Sequence, residues 1–145
     1  MIKVCIEVEA GSCEKHRYHE KTLAYEGTRR VSQAYPYPYG FILGTKAADG
    51  DSVDCYLITT EHLQAGTVVE CEPIGLLEQD EDNEVDHKIL AAMPGQDVEV
   101  GQELLQELRA FIYAVFTQFP DVSVRVGRML PREVALHHMQ ACREG

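Results

Sequence analysis

Residues 35–58 read YPYPYGFILGTKAADGDSVDCYLI. The hexapeptide DGDSVD crowds Asp49, Asp51 and Asp54 into one turn, with Gly50 between the first two. Carboxylates that close repel one another unless a cation neutralises them or water surrounds them fully. A Gly/Pro-punctuated aromatic approach enters this turn, and an apolar run over 53–58 leaves it. That setting favours a fixed cup of oxygens over a loose acidic loop. Oxygen-only ligands suit Mg²⁺, Ca²⁺ or Mn²⁺ rather than zinc. An EF-hand reading fails, because that loop needs ligands at every second position, a central Gly and a later Glu. Pro36 and Pro38 hold the approach extended, since each disfavours helix at the residue before it.

Outward from this stretch, residues 2–8 alternate apolar and polar, as a half-buried strand does. Residues 23–25 read as a short strand and Gly27-Thr28 as a turn. Residues 67–77 are β-rich, with a bend or bulge at Pro73–Gly75. The run QDEDNEVDHK that follows reads as a solvated acidic loop, and 89–93 as a further strand. From 101 to 119, Leu104, Leu105, Leu108, Ile112, Val115, Phe116 and Phe119 recur at helical steps, and Pro120 is the expected stop. Residues 122–126 alternate as a strand, and 131–143 read as a second helix with Pro131 in its first turn. Strands early, helices late and no βαβ alternation predict a barrel with helices packed outside. His16, His19, His137 and His138 read as surface or contact residues rather than metal ligands.

The length of 145 residues suits a single domain spanning 1–145. A formal net charge of −11 argues against nucleic acid as partner and fits a protein that recruits divalent cations. No apolar run is long enough to span a bilayer, and the opening MIKVCIEVEA does not read as a signal peptide. Cys5, Cys13, Cys55, Cys71 and Cys142 form no CxxC pair and read as free thiols, which points to the cytoplasm.

The segments YPYPYGF and DGDSVD together resemble the soluble, family I inorganic pyrophosphatases, in a divergent form. That family's signature is an aromatic-Asn-Tyr-Gly-Phe segment followed by Asp-Gly-Asp-Pro-x-Asp. Pro38 stands in place of the Asn and Ser52 in place of the Pro, while Tyr39 and the three aspartates match. The resemblance implies a five-stranded barrel of oligonucleotide-binding-like shape with two C-terminal helices outside. It implies hydrolysis of pyrophosphate with Mg²⁺, or Mn²⁺ in its stead, by a chain that assembles as a homo-oligomer. By the same resemblance, Asp49, Asp54 and Asp86 are metal ligands, and Glu81 and Glu7 hold further metal directly or through water. Asp80 and Asp82 compete with Glu81. Asp51 is the general base. Lys15, Arg30, Tyr39 and Lys88 take phosphate oxygens, with Arg29 a competitor for Arg30. Where the family carries Glu after Lys-Tyr, this chain has Lys15-His16-Arg17. Where the family's long helix ends in Tyr-Lys, the expected counterparts are Phe119 and Pro120. That loss of a hydroxyl and an ammonium leaves Arg17, Arg125 or Arg128 to complete the pocket. It also leaves open another diphosphate substrate, or a non-catalytic metal- or phosphate-binding relative.

Overall fold

The structure, a computed structural model, describes residues 1–144. In chain order the elements are β1 (Ile2–Val8), β2 (Glu14–Tyr18), β3 (Tyr25–Arg30), β4 (Tyr39–Ile42), β5 (Asp54–Leu57), β6 (Val68–Glu81), β7 (Glu84–Val85), β8 (Lys88–Ala92), α1 (Gln102–Phe116), β9 (Val124–Pro131) and α2 (Arg132–Ala141). Five strands close a ring in the order β1, β4, β5, β8, β6 and back to β1. Among the described residues only β5 and β8 pair in parallel. β6 closes the ring because its length lets it serve four neighbours: β1 at its start, β8 in its middle, β9 along its second half and β7 at its end. Its register slips between Pro73 and Gly75, as the sequence anticipates.

Period-two alternation sends successive side chains to opposite faces of the sheet. Cys55 and Leu57 join one buried cluster and Tyr56 the other; Ile89 and Ala91 join the first and Leu90 the second. Helix α1 covers the face bearing Tyr56, Leu77 and Leu90 with Leu104, Leu108, Ile112 and Val115. Helix α2 adds Ala135 and Met139 to the other cluster. Gly40 has no substitute in this packing, since a Cβ there would lie 1.9 Å from the Cys5 carbonyl oxygen on β1. Among the described residues no helix is long and apolar enough to cross a membrane, and all five cysteines are free thiols.

Four expected boundaries move. Gly27 and Thr28 lie inside β3, and the turn falls earlier, at a tip where Leu23 takes a left-handed φ of 62°. The acidic run is no loop: β6 continues to Glu81, and Asp82 and Asn83, at φ 52° and 66°, turn it into β7. Two positive φ angles in succession are what a tight hairpin turn demands. The long helix stops at Phe116 rather than Phe119, because Gln118 and Phe119 donate to carbonyls only three residues back, those of Val115 and Phe116. Strand β9 runs on to Pro131, so α2 opens at Arg132.

Candidate functional site

Parallel pairing of β5 and β8 puts Asp54 and Lys88 in register at the first position of each strand. The Lys88 ammonium lies 2.7 Å from Asp54 Oδ2 and 3.0 Å from Asp86 Oδ2, and the residue is 4% exposed. Burial disfavours its charge, but the two carboxylates outweigh burial and hold its pKa well above the ordinary lysine value. Burial likewise opposes the charge on Asp86. The hydrogen bond from Glu81 and the Lys88 ammonium overcome it, so Asp86 stays ionised with a lowered pKa. Glu81 carries the proton of that pair, pushed up to about 7 by burial and by Asp86. Of the acids that compete for this role, Asp80 faces Arg125 on β9 and Asp82 caps the Ser123 N–H. Of these three acids, Glu81 is the one hydrogen-bonded and charge-coupled to Asp86.

Tyr39 sits beneath these charges. Its ring packs against Tyr35 and Tyr56, and Lys15 Nζ and Lys88 Nζ lie 5.3 and 5.7 Å from its centroid. Besides the hydroxyl foreseen from sequence, the ring face itself orients two cations.

Beyond the buried pair a cavity of about 900 Å³ opens between the acidic turn and the β2–β3 hairpin. Glu7, Asp51 and Asp54 line one side, and Lys15, Arg17 and Arg29 the other. Lys15 lies directly across from Arg29, and Glu14 across from Arg30. Directly opposed residues share a face. Arg29 therefore joins Lys15 at the cavity, whereas the expected Arg30 shares the opposite face with Glu14. Arg29 rests 5.5 Å above the Phe119 ring. The helix end thus does approach the cavity, but neither Phe116-Thr117 nor Phe119-Pro120 supplies a phenol or an ammonium. Of the three replacement arginines, Arg17 lines the cavity, where it pairs with Glu26 at 3.5 Å. Arg125 and Arg128 lie on β9, where they pair with Asp80 and Glu78.

Asp51 is exposed and makes no ion pair among the described residues. Burial, Glu20 and Asp54 raise its pKa. Asp49 turns its Oδ1 back to accept the Asp51 N–H at 3.0 Å, and it does not line the cavity. Among the described residues, no three acidic, imidazole or thiol side chains converge on a metal-sized point. The cup of oxygens expected from sequence is instead a charge-coupled patch, held apart by mutual repulsion and bridged by Lys88. The donors still fit a divalent cation. They are oxygen-only, and a cation already stands between Asp54 and Asp86.

Glu7, near the end of β1, is pushed up to about 7 chiefly by burial, with Lys15 opposing the shift. It therefore binds its proton more tightly in the folded chain than in the unfolded one. The stability this confers is fully present below the unfolded value of 4.5 and is lost as pH rises through about 7. In chelator, the wild-type urea midpoint should fall between pH 5.5 and pH 8.5. Glu7→Gln should flatten that fall by up to about 2 kcal/mol. An unchanged slope in the variant would show that Glu7 is not the group responsible.

The sequence profile of the family described as Inorganic pyrophosphatase matches residues 4–144. The inorganic pyrophosphatase of Nanoarchaeum equitans is 31% identical over 140 residues, 90% of this chain and 88% of that protein. That of Sulfolobus acidocaldarius is 37% identical over 93 residues, which cover 63% of this chain and 54% of that protein. Among solved structures, the inorganic pyrophosphatase of Thermus thermophilus superposes with a TM-score of 0.86 at 30% identity, covering 97% of this chain and 87% of the other. The Helicobacter pylori enzyme gives 0.87 at 25% identity, covering 97% and 89%.

Proposed function

Because the chain belongs to the inorganic pyrophosphatase family, we propose that it hydrolyses inorganic pyrophosphate to two phosphates with Mg²⁺, Mn²⁺ serving in its place. One observation carries this reading. Across a single cavity, a carboxylate turn bearing Asp51 and Asp54 faces a hairpin whose Lys15, Arg17 and Arg29 line the same cavity beside Glu20 and Glu26. A divalent cation, when bound, supplies charge that acidifies water and offsets the negative phosphates. Asp49, Asp54 and Asp86 would hold it, with Glu81 and Glu7 supporting further metal.

The chain's own groups do the rest. Asp51 accepts the proton of the attacking water as that oxygen bonds to phosphorus and the P–O–P bridge breaks. Lys15 and Arg29 bind non-bridging oxygens and hold the diphosphate in line for attack. Arg29 takes the role expected of Arg30, and Arg17 adds a cation where the family carries an acid. The Tyr39 hydroxyl donates to a phosphate oxygen. Lys88 reaches substrate only by exchanging a carboxylate for a phosphate oxygen; otherwise it holds Asp54 and Asp86 at their spacing. Action as a homo-oligomer in the cytoplasm belongs to the same proposal.

The cavity continues past Arg17 to Lys21 and Lys46. That extent favours, as the second reading, a diphosphate bearing an organic group. Phosphate release from pyrophosphate, ADP and a diphosphate ester, each with Mg²⁺, separates the two. Pyrophosphate should lead in kcat/KM by at least about 10-fold, and chelation should stop turnover. Arg29→Gln should raise KM by about 10- to 100-fold, while Arg30→Gln should change it by less than about threefold. Equal rates on all three compounds would refute the first reading, and a larger effect at Arg30 would refute the assignment to Arg29.

A further inference from the structure

Four consecutive backbone N–H groups run through the acidic turn, and each finds a different acceptor. Gly50 donates to the Ala47 carbonyl, Asp51 to Asp49 Oδ1 and Val53 to Thr45 Oγ1. These three bonds are local. The fourth, from Ser52, goes to Glu20 Oε2 at 2.7 Å, on the tip of the β2–β3 hairpin. Ser52 is 8% exposed, and a buried donor left unpaired is costly. The bond exists because residue 52 is not proline, which has no N–H to give.

The tip is built to present Glu20. His19 Nδ1 accepts from both the Lys21 and Thr22 N–H groups at 3.1 Å, and the His19 carbonyl accepts from Leu23 at 2.8 Å. From this anchored turn Glu20 reaches across the cavity mouth to the residue that follows Asp51. The same hairpin carries Lys15, Arg17 and Arg29.

We infer that Glu20 is a positioning residue: its bond to the Ser52 N–H latches the cationic hairpin to the acidic turn and fixes Asp51 relative to the phosphate-binding wall. This rests on the pyrophosphatase reading for its kinetic consequence, but not for its geometric one. With the latch broken, the hairpin and the turn move independently, and the attacking water and the phosphate lose alignment.

The test uses the full chain with Mg²⁺ and inorganic pyrophosphate. Ser52→Ala keeps the N–H and should leave kcat within about twofold of wild type. Ser52→Pro and Glu20→Ala each remove the bond and should lower kcat about 10-fold or more, with Glu20→Gln, which retains an acceptor oxygen, recovering part of the loss. The double variant Glu20→Ala/Ser52→Pro should be no slower than the worse single variant, since both delete one interaction. Hydrogen exchange at the Ser52 amide should quicken about 10-fold or more in Glu20→Ala, whether or not the protein is active. Unchanged exchange, or additive losses in the double variant, would overturn the latch. An inactive wild type with an amide that Glu20 protects would instead overturn the activity reading and leave the latch standing.

Discussion

Asp51→Asn should lower kcat for pyrophosphate hydrolysis by about 100- to 10,000-fold, the range removed when a positioned general base is lost. Asparagine keeps the shape and a hydrogen-bonding oxygen but cannot accept a proton from water. The remainder of the site should survive. Asp54 and Asp86 stay bonded to Lys88, which the substitution does not touch. The Asp51 N–H still donates to Asp49, and its carbonyl still accepts from Ala47. Mg²⁺ binding followed by calorimetry should therefore stay within a few-fold of wild type. The urea midpoint should hold or rise slightly, because one of several mutually repelling carboxylates has been neutralised. A variant that retains a tenth of wild-type turnover would remove Asp51 from the base's role. A wild type no faster than the variant would favour the non-catalytic reading, in which the cavity binds phosphate without cleaving it.

The parts of this site that were legible in the sequence share one property: their meaning is local. DGDSVD places three carboxylates in one turn whatever surrounds it, and the alternation of β1 or the apolar stripe of α1 needs no partner to be read. What stayed hidden depends on pairing across the chain. Arg29 and Arg30 are adjacent, and in a strand one step of parity decides which face a side chain takes. Parity here is set by the register with β2, which shifts between Arg17 and Tyr18, and by Gly27 at a φ of 135°. No spacing rule records either feature. The acidic run was unreadable for a similar reason. Five acids in so short a span look solvated, yet β9 brings Arg125 and Arg128 alongside to neutralise Asp80 and Glu78. Asp82 turns to the Ser123 N–H and Glu84 lies exposed on β7, and Glu81 and Asp86 share the field of Lys88. Residue 52 did leave a trace, since a serine at a family proline position creates one backbone donor that must be satisfied. Its acceptor lay 32 residues upstream and was visible only in three dimensions.

Lys88→Met should be the most destabilising single change at the site. Methionine fills a similar volume, so the lost quantity is the ammonium between Asp54 and Asp86 rather than packing. Removing one partner from a buried ion cluster leaves its opposite charges uncompensated, at a cost of roughly 3–5 kcal/mol, a large share of the 5–15 kcal/mol by which a domain is usually stable. The loss should shrink at low pH, where the orphaned carboxylates can protonate. Lysine's own ionisation does not alter this, since its raised pKa keeps it charged throughout that range. The informative measurement is the urea midpoint with and without millimolar Mg²⁺. A ligand that binds only the folded state stabilises it according to how tightly it binds there. In wild type the ammonium already neutralises these carboxylates, whereas in Lys88→Met the field of Lys15 still reaches Asp86, and a divalent cation is the counter-charge that can replace the ammonium between the two. Mg²⁺ should therefore raise the variant's midpoint more than the wild type's, and Lys88→Arg should behave like wild type. Equal Mg²⁺ shifts in the variant and the wild type would mean that Asp54 and Asp86 answer to lysine alone, and the metal assignment of both would have to be abandoned.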